Sequence, residues 1–361
     1  MTLTEEFSKR LSKIEEVLNK SLPQKENRSE LWMKSSFGAE YSAVVPAHAA
    51  PLAEPCRTLV SSGGKRWRPL LLVLSSEMQL IADKKNADEN EIAYKITPLL
   101  EFTHTASLIH DDIEDGADTR RGLPAAHIAY GLDTAINAGS WLYFEAAASI
   151  ETICANDELK LSFYRLFAEE LRRLHLGQAM DIAWHRDVQK IPTTDEYLAM
   201  VKNKTGTLSS FAAKAGILAG GGSVAQATEA GKIAADIGAG FQVVDDVINL
   251  TSGNAGKKRG DDIVEGKKSL PALYFFQIAN EDGKNELFQC FEEAKRSGIE
   301  SPAVENAIDL MEKSGAISAA YTEAKKLIDS AMKNLRALYP ENAAEKLIEA
   351  LFGSMMPKIS A

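Results

Sequence analysis

Cysteine is scarce: Cys56, Cys154 and Cys290 are the only three in 361 residues, and they lie far apart. They supply neither a disulfide framework nor a cysteine-rich metal site, and such usage fits a reducing compartment. Runs of Val, Ile and Thr alternating with polar residues are almost absent, which argues against a protein built on sheets. An excess of positive charge is missing too. The formal net charge is −10, whereas a general nucleic-acid binder needs a basic face; a local basic pocket for a phosphorylated small molecule is still compatible with it. Long apolar runs are lacking. The most apolar stretch, LLLVLSSEMQLIA, is broken by Ser and Glu and is too short to span a bilayer. The N-terminal stretch MTLTEEFSKRLSKIEEVLNK is charged throughout and matches neither a secretory signal nor a transit peptide. A cytoplasmic location is expected.

What is present is a helical period. Phe7, Leu11, Ile14, Val17 and Leu18 recur at helix spacing with charges between them, which predicts an amphipathic N-terminal helix within residues 1–22, stopped at Leu22-Pro23. Similar patterns predict helices at 69–82, 91–116, 133–154, 157–185, 194–219, 224–250, 269–280, 284–297, 301–314, 317–338 and 342–352. Breakers cluster at Asp83–Glu91, at Gly220-Gly221-Gly222 and at Thr251–Lys268. No stretch of linker composition divides the chain, so residues 1–361 read as one all-α domain, a helical bundle. The segment 251–268, TSGNAGKKRGDDIVEGKK, is rich in Gly and Lys and reads as a mobile loop of the lid type.

Three charged constellations stand out. In SLIHDDIEDGADTRRG an apolar run delivers Asp111, Asp112 and Asp115. On a helix Asp111 and Asp115 share a face one turn apart, with Asp112 turned about 100° away. Carboxylates at that spacing suit Mg²⁺, which is usually held by one or two of them together with substrate phosphates. Taken alone, a solvated acidic helix end explains the cluster as well. A second pair changes the balance: Gln242-Val243-Val244-Asp245-Asp246 again brings two aspartates out of an apolar run just before a polar loop. Two such clusters suggest a water-poor cavity that binds a diphosphate through several metal ions. The third constellation, Ser62-Gly63-Gly64-Lys65-Arg66-Trp67-Arg68-Pro69, puts cations beside glycines that let backbone approach a ligand, although a basic loop before a helix explains it equally well in isolation. It is not a Walker A loop. Arg120-Arg121, Lys202 to Gly206, Lys257-Lys258-Arg259 and Lys267-Lys268 add further basic groups near the acids.

In order, GGKRWRP, HTASLIHDDIEDGADTRRG, GQAMDI, KTG, FQVVDD and GDDIVEGKKSLP resemble the trans-prenyltransferase (polyprenyl diphosphate synthase) family, over about residues 30 to 340. The resemblance implies helices around a deep central cavity, a homodimer, and several Mg²⁺ ions per site. It also implies the reaction: an allylic diphosphate ionises with metal assistance, isopentenyl diphosphate attacks the allylic cation, and proton loss leaves a chain longer by one five-carbon unit. By the resemblance Asp111, Asp115 and Asp245 are the metal ligands, with Asp112 close by. Lys65, Arg68, His104 and Arg121 match the isopentenyl diphosphate site, and Arg120, Lys204 and Lys257 match cations gripping the allylic diphosphate. The arginines behind the first acids are thus expected to be diphosphate ligands rather than neutralisers of those acids. Thr205 and Gln242 match groups near the allylic carbon, while Gln178 and Asp181 match the GQ-x-x-D helix with their role left open. His110 and His127 read as structural or as supporting neighbours of the site residues. One position departs from the pattern, because Asn249 stands where many members carry the last aspartate of a second DDxxD motif; the form DDVINL, with IEDGADTRRGLPAAHIAYG and INAGSWLYF, resembles geranylgeranyl diphosphate synthases of the eukaryotic type.

If the growing tail runs back along the helix that precedes Asp111, Ala106 and Ser107 border it one turn upstream. Short-chain members usually carry an aromatic residue there. Two small side chains leave room, so geranylgeranyl diphosphate or a longer product is expected, with farnesyl diphosphate as the alternative. Phe102 and Thr103, or Trp141, Tyr143 and Phe144, are candidates for the floor of that pocket. Rivals fit less well. A class I terpene cyclase would carry N-x-x-x-[ST]-x-x-x-E as its second metal motif, a head-to-head synthase would lack GGKRWRP, and a non-catalytic subunit of a heteromeric synthase tends to lose its aspartates.

Overall fold

The computed structural model describes residues 2–38, 43–187, 189–253 and 258–356. The described residues are overwhelmingly helical, as the missing strand signal predicts. The helices α1 to α9 are Leu3–Ser21, Glu30–Phe37, Ala50–Ser61, Trp67–Ala82, Glu91–Lys95, Thr97–Glu114, Ala126–Tyr130, Leu132–Ala148 and Asp157–Arg186. Then α10 to α18 are Thr194–Val201, Thr207–Ala219, Val224–Leu250, Asp261–Glu265, Leu270–Ile278, Glu281–Ser297, Pro302–Lys313, Ala316–Leu338 and Ala343–Met355. Strands β1 (Thr119–Arg120) and β2 (Leu123–Pro124) form one small hairpin.

Local chemistry explains most boundaries. The first helix starts on a capping box in which Thr2 accepts from the Glu5 amide and the Glu5 carboxylate accepts from the Thr2 amide. The stretch expected as one helix at 91–116 is two, because Pro98 supplies no amide donor and sits in the first turn of α6, where that donor is not needed. The stretch expected at 194–219 is also interrupted: Lys202–Gly206 forms a π-helical turn between α10 and α11. The polar segment 251–268 contains α13, bracketed by Gly260 and Gly266 at φ of 85° and 76°. Besides α13, three helices escaped the sequence reading, α2, α3 and the short α7; α3 carries Pro51 and Pro55, which hide its period.

The chain divides into two compact units, with the divisions falling inside α9, α11 and α12 and near the chain's C-terminal end. Unit 1 comprises residues 1–169, 211–231 and 339–351. Its centre is α4, buried continuously from Pro69 to Leu80, mostly apolar but with Ser75, Ser76, Glu77 and Gln79 buried as well. Backbones come close here: a Cβ on Gly216 would lie 2.3 Å from the Leu72 carbonyl oxygen. Unit 2 comprises residues 170–210, 232–338 and 352–361. Its core is drawn from α12, α14, α15, α16 and α17, among them Val243, Leu273, Leu287, Phe291 and Ile308.

In unit 1 the short α2 is fastened to α8. Phe37 stacks on Trp141 with ring centroids 5.8 Å apart, and Ser36 Oγ donates to Glu145 Oε1 at 2.8 Å. The other Glu145 oxygen is buried without a hydrogen-bond partner among the described residues. Burial pushes the Glu145 carboxyl up to about 7, against the lowering effect of the Ser36 bond. Its folded value therefore exceeds the unfolded one of about 4.3, and the folded chain holds an extra proton between these values. Stability falls as pH rises through that window and is flat above it. Glu145→Gln is expected to remove this slope and to stabilise the protein at pH 8 by about 1–3 kcal/mol. Thermal melts from pH 5 to 8 check it, and parallel profiles for both proteins would defeat it.

Candidate active site

Helix α6, in unit 1, sorts the first aspartate motif by side. His104, Ser107, Leu108, Asp111 and Asp115 keep accessible surface, while Phe102, Thr103, Ala106, Ile109 and Asp112 are buried. The spacing i, i+3, i+4, i+7 and i+11 makes the first group one continuous face. Asp115 closes the helix, its amide donating to the Asp111 carbonyl at 2.8 Å, so the two carboxylates sit one turn apart as their spacing predicts. Asp112, turned about 100° from Asp111, falls on the flank next to the buried side and is wholly buried.

Strands β1 and β2 bring the two arginines back to this motif. Arg121 and Gly122 form the hairpin turn, with left-handed φ of 53° and 78°. Arg120 Nε donates to Asp112 Oδ1 at 2.6 Å, and its Nη2 to Asp111 Oδ2 at 3.5 Å. Burial works most strongly against the Arg120 charge, but the Asp112 bond together with the charges of Asp112, Asp111 and Asp115 outweighs it and raises the pKa. Burial raises the Asp112 carboxyl, and Arg120 opposes that rise. The expectation that neither arginine neutralises the acids therefore holds for Arg121 and not for Arg120. A buried carboxylate needs a partner, and Arg120 is the one it has. With Asp112 committed to Arg120, Asp111 and Asp115 are the carboxylates on the accessible side. Two hard oxygen ligands of this kind fit Mg²⁺ shared with a substrate phosphate. Among the described residues no three His, Cys, Asp or Glu side chains gather into an all-protein metal cage.

The glycine-cation element lies in the same unit, and its three cations go three ways. Arg66 is buried and structural, with Nε on Glu15 at 2.6 Å and Nη1 on Glu101 at 2.7 Å. Lys65 is exposed. Arg68 Nη1 donates to His104 Nε2 at 3.2 Å. Burial, with Arg68 and Arg121 nearby, holds His104 well below the usual imidazole range, so it is neutral at physiological pH. Since arginine can only donate, Nε2 accepts and the proton of His104 is on Nδ1. Arg121 donates to the carbonyls of Leu59 and Gly63, and its guanidinium lies 3.3 Å from where a Cβ on Gly64 would be. Gly64, at φ of 136°, is thus needed for both its conformation and this close approach. Burial lowers the Arg68 pKa to about 10, with Arg121 adding to the effect. Arg68 Nε and His104 Nδ1 are buried without a hydrogen-bond partner among the described residues. Two buried donors with positive charge behind them form a cradle for an anion.

Unit 2 holds the second motif. On α12 Asp245 is exposed while Asp246 and Asn249 are buried. Tyr197 donates to Asp246 Oδ2 at 2.5 Å and Gln242 Nε2 to Asp246 Oδ1 at 3.1 Å. Thr205 donates in turn to Gln242 Oε1 at 2.8 Å, which brings two of the expected residues together. Burial, with Asp262 nearby, pushes the Asp246 carboxyl up to about 7. Asn249 Oδ1 accepts from the Asp262 amide at 3.3 Å, so this departure from the acidic pattern caps the first turn of α13.

The GQ-x-x-D helix now has a role. Lys204 Nζ is 2.6 Å from Asp181 Oδ2, and a Cβ on Gly177 would lie 2.3 Å from the Lys204 nitrogen, so α9 presses directly on the π turn. Burial alone would raise the Asp181 carboxyl, but Lys204 and Lys267 bring it below the usual range. Lys258 and Arg259 are engaged by Glu300 and Glu305 rather than standing ready for phosphate. Lys257 lies outside the described residues.

The residues expected around the product tail divide. Ser107 keeps accessible surface, whereas Phe102 and Ala106 are wholly buried beneath it. Of the aromatic candidates for a floor, Phe144 is 76% exposed and faces solvent, so it closes no pocket within this chain. Tyr143 stacks on His110 at 5.7 Å, which keeps His110 structural as expected. The sequence reading missed Tyr197 and Glu101. Tyr197 leaves a trace in its distance from Lys204, two helical turns upstream; Glu101 is a buried acid within an apolar helix, and nothing local marks it.

Residues 49–311 match the family model described as polyprenyl synthetase. The chain is 34% identical to a geranylgeranyl diphosphate synthase of Saccharolobus solfataricus, over 85% of this chain and 90% of that protein. It is 32% identical to a geranylfarnesyl diphosphate synthase of Natronomonas pharaonis, over 81% and 86% respectively. Among solved structures, a geranylgeranyl pyrophosphate synthetase from Pyrococcus horikoshii aligns with a TM-score of 0.82 at 28% identity, over 99% of this chain and 98% of that one. With two aspartate motifs on α6 and α12, the anion cradle beside Gly64 and a family model spanning most of its length, the chain belongs to the polyprenyl synthetase family.

Proposed function

We propose that this chain is a trans-prenyltransferase that condenses isopentenyl diphosphate with an allylic diphosphate and yields geranylgeranyl diphosphate or a longer product. The observation that carries the substrate assignment is the pair of buried, unpartnered donors on Arg68 and His104, beside Arg121 and the Gly64 turn. Such a cradle takes a diphosphate, and with Lys65 it would hold isopentenyl diphosphate. Asp111, Asp115 and Asp245 would hold Mg²⁺, which when bound supplies the positive charge that offsets the leaving diphosphate. Of the cations expected there, Lys204 and Lys257 would act on that same charge as it develops. Thr205 and Gln242 turn oxygen dipoles toward the allylic carbon, where positive charge builds.

No helix among the described residues is long and apolar enough to cross a membrane, and the reading places the enzyme in the cytoplasm as a homodimer. What favours a second copy is the set of exposed apolar side chains in unit 1, Leu132, Ile136 and Phe144 on α8 and Leu161 and Tyr164 on α9. Light scattering should then report twice the 39.3 kDa chain mass.

The test of the activity uses purified protein with labelled isopentenyl diphosphate, Mg²⁺ and dimethylallyl, geranyl or farnesyl diphosphate in turn. Elongation to twenty carbons or beyond, abolished by EDTA, is expected. Absence of elongation with every primer would overturn the enzyme reading in favour of a subunit role, and a stop at fifteen carbons would overturn the product assignment.

A further inference from the structure

A hydrogen-bond chain in unit 2 leads away from the residues assigned to the allylic carbon and ends on a side chain with no part in the reaction so far. Tyr197, on α10, is 1% exposed, and its hydroxyl donates to Asp246 Oδ2 at 2.5 Å. The second carboxylate oxygen, Oδ1, accepts from Gln242 Nε2 at 3.1 Å. Gln242 Oε1 accepts from Thr205 Oγ1 at 2.8 Å. Four side chains from three elements thus form one directed series.

The direction matters because an amide has two nearly isosteric ends. Gln242 can present oxygen or nitrogen toward Thr205, and only its partners decide which. A carboxylate on the far side forces the NH₂ end there, which leaves the oxygen for Thr205. Asp246 does this only while its own rotation is fixed. Gln242 lies one turn before it on the same helix and cannot fix it alone; Tyr197 reaches in from another helix and takes the other oxygen. Nothing else in the reading requires a hydroxyl at this buried position, where phenylalanine would pack equally well.

We infer that Tyr197 is a positioning residue for prenyl transfer: through Asp246 it holds the Gln242 amide with its oxygen toward Thr205. This rests on the prenyltransferase reading proposed above. In the wild type the oriented dipole stabilises the allylic cation until the double bond of isopentenyl diphosphate attacks it. With the amide free to turn, the cation is less well held and water competes for it, giving the allylic alcohol in place of the elongated diphosphate.

The test is Tyr197→Phe, assayed beside wild type for elongated product and allylic alcohol. The expected result is a roughly tenfold lower kcat for elongation, in line with losses on removing an outer partner of a site residue. KM for isopentenyl diphosphate should be unchanged, and the ratio of alcohol to elongated product should rise several-fold. Gln242→Leu and the double variant complete a cycle, and if both act through one chain of bonds the double variant is no worse than Gln242→Leu. Additive losses, or an unchanged alcohol ratio at a lower kcat, would overturn the inference in favour of a packing role. If Tyr197→Phe melts too early to assay, Thr205→Val interrupts the same series at its other end and should raise the alcohol ratio likewise; an unchanged ratio there overturns the inference too. Failure of wild type itself to elongate would instead overturn the prenyltransferase reading.

Discussion

Asp111→Asn is expected to lower the elongation rate by on the order of 10²–10³-fold, the scale on which single electrostatic contacts to a developing charge act, with the melting temperature almost unchanged. Asparagine keeps the shape of the side chain and loses its charge. Asp111 lies on the accessible face of α6, and the long 3.5 Å contact from Arg120 contributes little to stability at a partly exposed site. The neighbouring substitution should behave in the opposite manner. Asp112 is buried beneath α6 and is the close partner of Arg120, so Asp112→Asn strands a guanidinium and costs about 1–3 kcal/mol of stability. Steady-state elongation at saturating Mg²⁺, with thermal melts of both variants, separates the two. Asp111→Asn activity within threefold of wild type would remove it from the metal ligands.

Ala106→Phe should change what the enzyme makes, and it decides between two readings of one position. If the tail reaches Ala106, the added ring fills its path and product shortens to fifteen carbons or fewer, with the fold intact. Ala106 is wholly buried, and if its surroundings are packed core, overfilling costs about 1–3 kcal/mol and leaves the product length alone. Ser107→Phe is the control, because Ser107 keeps surface on the face that carries Asp111. Products sized by chromatography, with a melt of each variant, check both. A shortened product from Ser107→Phe alone would move the boundary of the tail pocket to the accessible face.

The helical class and most of the site could be read from the sequence because each is local. Asp111 and Asp115 share a face by spacing alone, and Thr205 and Gln242 were both singled out before the structure joined them at 2.8 Å. What escaped depends on partners distant in the chain. Whether Arg120 meets a substrate or an acid is decided by where the hairpin returns it, and Asp112 lies in wait there. The basic run Lys257-Lys258-Arg259 looks uniform as a string, yet Lys258 and Arg259 are drawn to Glu300 and Glu305, more than forty residues on. Asn249 reads only as a departure from the second acidic motif until the Asp262 amide is seen on its oxygen. The hidden breaks have local causes that periodicity does not weigh: Pro98 opens a helix without disturbing the apolar pattern, and the π turn at Lys202–Gly206 adds a residue without breaking it.

That π turn also constrains how the gene can vary. A turn of this kind holds one residue more than an α-helical turn, and it carries Thr205, one end of the chain of bonds through Gln242 and Asp246 whose other end, Tyr197, lies on α10 before it. Loss of a single codon within 202–206 would let the wide turn close into an ordinary α turn, which keeps α10 and α11 in register but carries Thr205 out of the place the wide turn gives it. Gain of a codon, with the wide turn already filled, would rotate α10 against α11 by about 100°. Substitutions on the exposed side of α10 can therefore accumulate, while a change in the length of the segment from Tyr197 to Thr205 displaces Thr205 from Gln242.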